Sequence, residues 1–370
     1  MPEIVVNLNK RSYPVVVGSG IGSKLPARLR RIAGDARLFV FYDANFYALH
    51  GHILQKSLEK DFRTVEIVSP SGERFKSQRQ LNKIHDLLFA EKVTRSDLIL
   101  ACGGGVTGDL VGFAASSALR GIRWGIVSTT LLGMVDAAIG GKTGVNHPLG
   151  KNLIGSFWQP SIVWCDIDYL ATLPTREWIS GLGEVIKYGG LMGGPVLEWL
   201  YDIHDWPVDQ QGRMLQKVVV ECSGYKARVV AADETERGQR MVLNLGHTFS
   251  HAIEATVGFG KLTHGEALII GLKAAVDLSC ILSRRREATL KKYDKILTGF
   301  LKYVRRRRID AAGVMKAMQV DKKRGNLTAK FILLEKPGRP IIAEGINRDL
   351  VYKSLLSALE VYGLFGGRNA

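Results

Sequence analysis

An apolar run, Asp97-Leu98-Ile99-Leu100-Ala101, breaks abruptly into Cys102-Gly103-Gly104-Gly105-Val106-Thr107-Gly108-Asp109. A buried strand that ends in consecutive glycines leaves backbone N–H groups bare at a turn, where they are suited to hold a phosphate. Gly103, Gly105 and Gly108 satisfy the G-x-G-x-x-G pattern of dinucleotide-binding turns. The acidic residue that such units carry about 20 positions further on is missing, because Ser128 and Thr129 stand there. The turn predicts a pyrophosphate ligand bound in a variant way, and the surrounding chain has to decide the rest.

Further runs rich in Val, Ile and Phe fall at 3–8, 15–17, 38–43, 64–68, 97–102, 124–128 and 162–166. Most are separated by stretches with helical spacing, such as Gln78 to Glu91. That alternation predicts an α/β sheet domain of Rossmann-like character. After Leu173-Pro174 helical periodicity takes over, and only Lys330 to Leu334 and Arg339 to Ile342 read as short strands. The 370 residues therefore divide into an expected nucleotide-binding α/β domain, 1–173, and a mainly helical domain, 174–370.

The start, Met1-Pro2-Glu3-Ile4-Val5-Val6, lacks the basic segment and apolar core of a signal peptide. The most apolar long stretch, Ala267 to Leu282, carries Lys273 and Asp277, which argues against a membrane span. A cytoplasmic enzyme is expected. Cys102, Cys165, Cys222 and Cys280 are widely spaced and read as free thiols. The formal net charge of +16 fits either nucleic acid or a small polyanion drawn toward a site. Arg284-Arg285-Arg286 and Arg305 to Arg308 read as helix-like together with Lys291, Lys292, Lys295 and Lys302. No nucleic-acid motif accompanies them, so a solvated basic face and a small anionic substrate are the reading.

Glu184 and Lys187 share a face of a predicted helix whose other residues, Leu182, Val185, Ile186 and Leu191, are apolar. A buried charge in such company needs a partner or a metal. His247 and His251 lie one helical turn apart, and His264 follows closely, so three of the chain's eight histidines gather here. One carboxylate and two imidazoles make a divalent site with open positions, and spacing alone selects both His247 and His251 as ligands. The block from Thr129 to Asn146, followed by Gly150-Lys151-Asn152, mixes glycines with Asp136, Lys142, Lys151 and Asn152. Packing of a turn explains the glycines, but charged groups in one loop system point to phosphate or carboxylate binding.

Gly103-Gly104-Gly105-Val106-Thr107-Gly108-Asp109, the 129–146 block, Gly150-Lys151-Asn152-Leu153-Ile154-Gly155, Thr172-Leu173-Pro174-Thr175-Arg176-Glu177, Asp233-Glu234-Thr235-Glu236, Leu243-Asn244-Leu245-Gly246-His247-Thr248 and Asp321-Lys322-Lys323 together resemble the 3-dehydroquinate synthase family, sugar phosphate cyclases of the shikimate pathway. The resemblance is collinear from about Asp43 to Lys323. Departures are Ser128, where the family often has proline, Gly133-Met134, and the basic carboxyl-terminal half.

Carried over residue by residue, the resemblance implies a divalent metal, zinc or cobalt, on Glu184, His247 and His264, with His251 facing substrate instead. It implies NAD at Asp43, Ser71, Gly72, Glu73, Arg74, Phe75, Lys76, Gly105, Val106, Thr107, Gly108, Asp109, Thr129, Thr130, Lys142, Lys151, Tyr169, Leu170, Ala171 and Thr172. Substrate would meet Asp136, Lys142, Asn152, Lys187, Lys226, Arg240, Asn244, His251 and Lys322 (or Lys323), with Arg120 reaching the phosphate from the neighbouring subunit of a homodimer. The implied reaction converts 3-deoxy-arabino-heptulosonate 7-phosphate to 3-dehydroquinate and phosphate by transient oxidation, elimination, reduction, ring opening and aldol closure. A paralogous cyclase acting on a sugar phosphate without a carboxylate fits less well, because Lys226, Asn244, His251 and Lys322 suit a carboxylate-bearing substrate. A metal-dependent polyol dehydrogenase commonly has a histidine four residues after its first carboxylate ligand, where this chain has Tyr188.

Overall fold

The computed structural model describes residues 1–203, 213–258, 260–283, 288–323 and 329–364, and for 213, 319–323 and 364 the backbone alone. Contacts group them into two compact units, Met1–Pro174 with Gln210–Thr235, and Thr175–Asp209 with Glu236–Ala370.

The first unit is built on a seven-stranded sheet in the order β1-β2-β9-β6-β5-β3-β4. The strands are β1 (Glu3–Val6), β2 (Tyr13–Gly18), β3 (Leu38–Asp43), β4 (Thr64–Ser69), β5 (Leu98–Gly103), β6 (Arg123–Ser128) and β9 (Val163–Asp166). Only β1 and β2 pair antiparallel; the others run parallel. Every residue of β5 is buried, which is why it reads as an unbroken apolar run instead of an alternating one. Helices α1 (Leu25–Ala33), the single turn α2 (Ala44–Phe46), α3 (His52–Glu59), α4 (Gln78–Ala90) and α5 (Gly105–Ser117) connect the strands. The chain leaves β3 for β4 on one side and returns to pair β5 on the other. The carboxyl ends of β3 and β5, Asp43 and Gly103, thus flank a topological switch point, where open α/β sheets bind ligands.

The sequence reads the 129–146 block and Gly150-Lys151-Asn152 as one loop system, but the structure makes its second part a hairpin of β7 (Lys142–His147) and β8 (Gly150–Phe157). A Cβ on Gly155 would lie 2.1 Å from the Thr143 carbonyl oxygen, so the glycine that suggests a loop is what lets these strands approach.

Helices α6 (Thr175–Met192) and α7 (Gly194–Asp202) open the second unit, and α8 (Arg213–Ala232) returns to the first. There the Ser223 hydroxyl donates to the Met134 carbonyl at 3.0 Å. The second unit continues with α9 (His247–Val257), α10 (His264–Ser283), α11 (Ala288–Leu301), α12 (Ala311–Lys323), the hairpin β10 (Phe331–Lys336) and β11 (Arg339–Ala343), and α13 (Arg348–Leu364). Helices α6 and α10 touch backbone to backbone: a Cβ on Gly183 would lie 2.7 Å from Gly265 Cα, and one on Gly265 would lie 2.0 Å from the Ser180 carbonyl oxygen.

Arg305 to Arg308 are not helical as the sequence suggests but irregular backbone beyond α11. Side chains take up the donors there: the Arg305 N–H bonds Glu266 Oε1 at 3.1 Å, and the Arg307 N–H bonds the Tyr362 hydroxyl at 2.7 Å. Arg284 to Arg286 lie outside the described residues. The four cysteines are free thiols, and no described helix is long and apolar enough to cross a membrane.

Replacing glycine by alanine inside a helix ordinarily stabilises it by about 1 kcal/mol. Gly265→Ala should do the opposite here and lower stability by about 1–3 kcal/mol, because overpacking must push α6 and α10 apart. A thermal melt of the variant checks this, and a rise in Tm would contradict the contact.

Candidate functional site

The backbone contact between α6 and α10 sets two donors side by side, since Glu184 follows Gly183 and His264 precedes Gly265. Glu184 is 1% exposed, and its Oε1 lies 3.1 Å from His264 Nε2 and 3.6 Å from His247 Nε2. The other oxygen, Oε2, is 2.5 Å from Lys187 Nζ, one turn along α6. His247 enters as the first residue of α9, after Gly246 in the left-handed conformation.

Both imidazoles have their second nitrogen engaged. His247 Nδ1 is 3.2 Å from the Leu245 carbonyl, and His264 Nδ1 is 3.5 Å from Glu254 Oε2. Such partners take the ring proton on Nδ1 and leave Nε2 as a donor to a metal. Burial pushes the Glu184 carboxyl up, but the Lys187 ammonium and the two imidazoles outweigh it and hold the group well below the usual carboxylate range. Burial lowers His247 despite Glu184. His264 is also pushed down by burial, yet Glu184 and Glu254 overcome this and raise it to about 10. The cluster thus sets imidazole nitrogens between two buried carboxylates, Glu184 and Glu254, an arrangement that favours a cation.

Glu184, His247 and His264 bring their donor atoms within 4.8 Å of one another, and so do His251, Glu254 and His264. A neutral His264 has one free lone pair, so the sets cannot both be filled through it. In the first set Nδ1 keeps its proton for Glu254 and Nε2 faces Glu184; the second includes His251, which is exposed. One carboxylate and two imidazoles fit zinc or cobalt with positions left for oxygen ligands.

In the first unit the N-cap of α5 is Gly104, which supplies no side-chain bond to the first-turn donors. Asp43 accepts from the backbone N–H groups of Asn45 and Phe46 at 3.0 and 3.3 Å and from the Ser71 hydroxyl at 2.7 Å. The Thr129 N–H donates to the Gly103 carbonyl at 3.1 Å, and the Thr130 side chain packs where a Cβ on Gly104 would stand. Tyr169 packs edge-on against Phe46, ring centroids 4.9 Å apart, and Thr172 Oγ1 is 2.7 Å from His50 Nε2. Asp43, Ser71, Thr129, Thr130 and the glycine turn therefore gather at the switch point, a cradle suited to a dinucleotide.

Lys76 is buried, pairs with Asp109 and donates to Asn152 Oδ1 at 2.5 Å. Lys226 on α8 donates to the Asp136 carbonyl at 2.8 Å and pairs with its carboxylate at 2.8 Å. Lys142 opens β7, and Lys151 and Asn152 lie on β8. Arg120 is exposed in the left-handed region, φ 64°, beside Leu119 at 49°. In the second unit Arg240 is buried, Asn244 Nδ2 donates to Glu236 Oε1 at 3.1 Å, and the His251 ring is 5.4 Å from that of His247. The side chains of Lys322 and Lys323 lie outside the described residues.

Sequence reasoning missed Glu254, whose contact with His264 depends on how α9 meets α10. Glu254→Gln should weaken metal binding by about 10–100-fold, because a neutral amide no longer stabilises the Nδ1 proton. Titration of the metal-free protein with cobalt, followed by its visible absorption, measures this; unchanged affinity would contradict the role.

A family model for the amino-terminal part of 3-dehydroquinate synthase matches residues 66–180, and one for the carboxyl-terminal part matches 181–324. A 3-dehydroquinate synthase from Acidithiobacillus ferrooxidans is 39% identical over 97% of this chain and 99% of its own. Among solved structures, the 2-epi-5-epi-valiolone synthase ValA from Streptomyces hygroscopicus subsp. jinggangensis 5008, with NAD+ and Zn2+ bound, superposes with a TM-score of 0.86 at 26% identity, covering 96% of this chain and 98% of that one. A 2-deoxy-scyllo-inosose synthase complexed with carbaglucose-6-phosphate, NAD+ and Co2+ shares the fold, with a TM-score of 0.85 at 22% identity over 96% of this chain and 99% of that one. Both halves of the chain match and nearly its whole length aligns with a curated relative, so it belongs to the 3-dehydroquinate synthase family.

Proposed function

We propose that this chain is a 3-dehydroquinate synthase, a carbon–oxygen lyase that converts 3-deoxy-arabino-heptulosonate 7-phosphate to 3-dehydroquinate and phosphate with NAD and a divalent metal. The observation that carries the reading is Glu184, with one oxygen facing two imidazole Nε2 atoms and the other on Lys187. Glu184, His247 and His264 would hold the ion, and the switch-point cradle from Asp43 to Thr130, with Lys151 and Tyr169 to Thr172, would hold NAD. When bound, the metal acidifies substrate hydroxyls and NAD takes up and returns a hydride.

This chain's own residues would do the remaining work. Lys142, Lys187 and Arg120, the last from a neighbouring subunit of a homodimer, neutralise phosphate as it departs. Lys226 and Arg240 hold carboxylate and hydroxyl groups, and Asp136 keeps the Lys226 ammonium fixed. Asn152, Asn244, His251 and Lys322 complete the substrate contacts and hold one molecule through elimination and ring closure. A cytoplasmic location and the second step of the shikimate pathway follow from the same reading, and polyanionic ligands account for the charge of +16. A polyol dehydrogenase reading is weaker, since Tyr188, wholly buried on α6, stands where that class places a ligand.

Incubation with heptulosonate phosphate, NAD and zinc should release phosphate and 3-dehydroquinate in large molar excess over NAD without accumulating NADH. Accumulation of NADH in step with product would sink the cyclase reading. Chelation should abolish turnover, and zinc or cobalt should restore it.

His247→Ala should lose zinc as well as activity, whereas His251→Ala should keep near-stoichiometric zinc while turnover falls. Elemental analysis of both variants decides between them, and equal zinc loss would make His251 a ligand.

A further inference from the structure

Asn146, a residue with no part in the site described so far, lies where the β7–β8 ladder shifts register between Val145 and His147. Irregularities of this kind re-aim a side chain out of the ladder. Asn146 uses both ends of its amide: Nδ2 donates to Glu73 Oε1 at 2.7 Å, and Oδ1 accepts from the Asn152 N–H at 3.0 Å. Its own N–H donates to the Lys76 carbonyl at 2.9 Å. Lys76 closes the ring by donating to Asn152 Oδ1 at 2.5 Å, and the same ammonium pairs with Asp109.

Asn152 is consequently held at its backbone by Asn146 and at its side chain by Lys76. It sits in the left-handed region at φ 56°, which asparagine tolerates better than most residues other than glycine, and these two bonds fix its amide there. Glu73 and Lys76 bracket a short turn, Glu73–Phe75, that opens directly after Gly72. Asn146 therefore joins that turn to the residue that aims the β8 amide. Only a side chain with a donor and an acceptor on one planar group can serve both neighbours. Aspartate, nearly the same in shape, would turn a carboxylate toward Glu73.

We propose that Asn146 is a positioning residue that couples the cofactor side of the first unit, Glu73 to Lys76 and Asp109, to the substrate-facing Asn152. This rests on the roles assigned above to those residues. Order imposed on the turn by NAD passes through the Asn146 amide to the backbone of Asn152, so each ligand tightens the other. By linkage the effect is reciprocal.

The test measures NAD affinity of the zinc-loaded enzyme with and without a non-hydrolysable phosphonate analogue of heptulosonate phosphate, together with KM and kcat. In the wild type the analogue should tighten NAD by about tenfold. Asn146→Ala should bring that ratio close to one and raise KM for heptulosonate phosphate by about tenfold, with zinc content and Tm kept. Asn146→Asp should be worse than alanine despite its isosteric shape, a signature that a packing role would not give. Wild-type coupling and KM in both variants would overturn the proposal. Joint loss of Tm, zinc and NAD affinity would overturn it too, by showing a merely structural residue. A wild type that turns over without any coupling sinks this proposal alone; a wild type with no turnover sinks the functional reading, and this proposal with it.

Discussion

The close contact of α6 with α10 is the constraint on which the donor cluster depends. Gly183 and Gly265 let two backbones meet where any side chain would hold them apart. A carboxylate on one helix and an imidazole on the other then fall within 3.1 Å. Burying Glu184 would be costly for an isolated charge, and the cost is offset because Lys187, His247 and His264 all face it. The cluster gathers negative charge and imidazole nitrogens at one point, an arrangement suited to a cation.

On the proposed reading the first unit meets a different need, the binding of phosphates by backbone. Parallel strands bring their carboxyl ends to one edge, and β3 and β5 flank the switch point there, the place where open α/β sheets bind ligands. Gly104, the N-cap of α5, has no side chain to cap the first turn, an arrangement suited to a ligand. Asp43 is satisfied at the same time by backbone N–H groups and the Ser71 hydroxyl, so the switch point has ordered walls.

Much of this was legible in the sequence because it depends on local pattern. The seven strands of the main sheet show as apolar runs and α4 shows as helical spacing, most plainly in β3, β5, β6 and β9, where burial fixes residue type at nearly every position. The β7–β8 hairpin was not legible: Gly144 and Gly155 face each other across it, and glycine in a strand looks like a loop signal. The missing acid after the glycine turn has a similar explanation. The strand beside β5 at the switch is β3, and its terminal Asp43 precedes the glycine turn in the chain instead of following it. Glu254 and Asn146 also escaped notice, because each acts through a neighbour that only tertiary packing supplies.

His247 and His251 show where local pattern stops. One turn apart on α9, they are equivalent by spacing, and both belong to donor sets that include His264. What separates them is how the remaining lone pairs and protons are distributed. His247 hands its Nδ1 to the Leu245 carbonyl and aims Nε2 at a carboxylate that is 1% exposed. His264 hands its Nδ1 to Glu254, which commits its Nε2 to Glu184. On the proposed reading, with those two protons placed, a metal drawn to the deepest negative charge would meet His247 and not the exposed His251. In that proposal the choice between the two histidines rests on hydrogen bonds made on the far side of the rings.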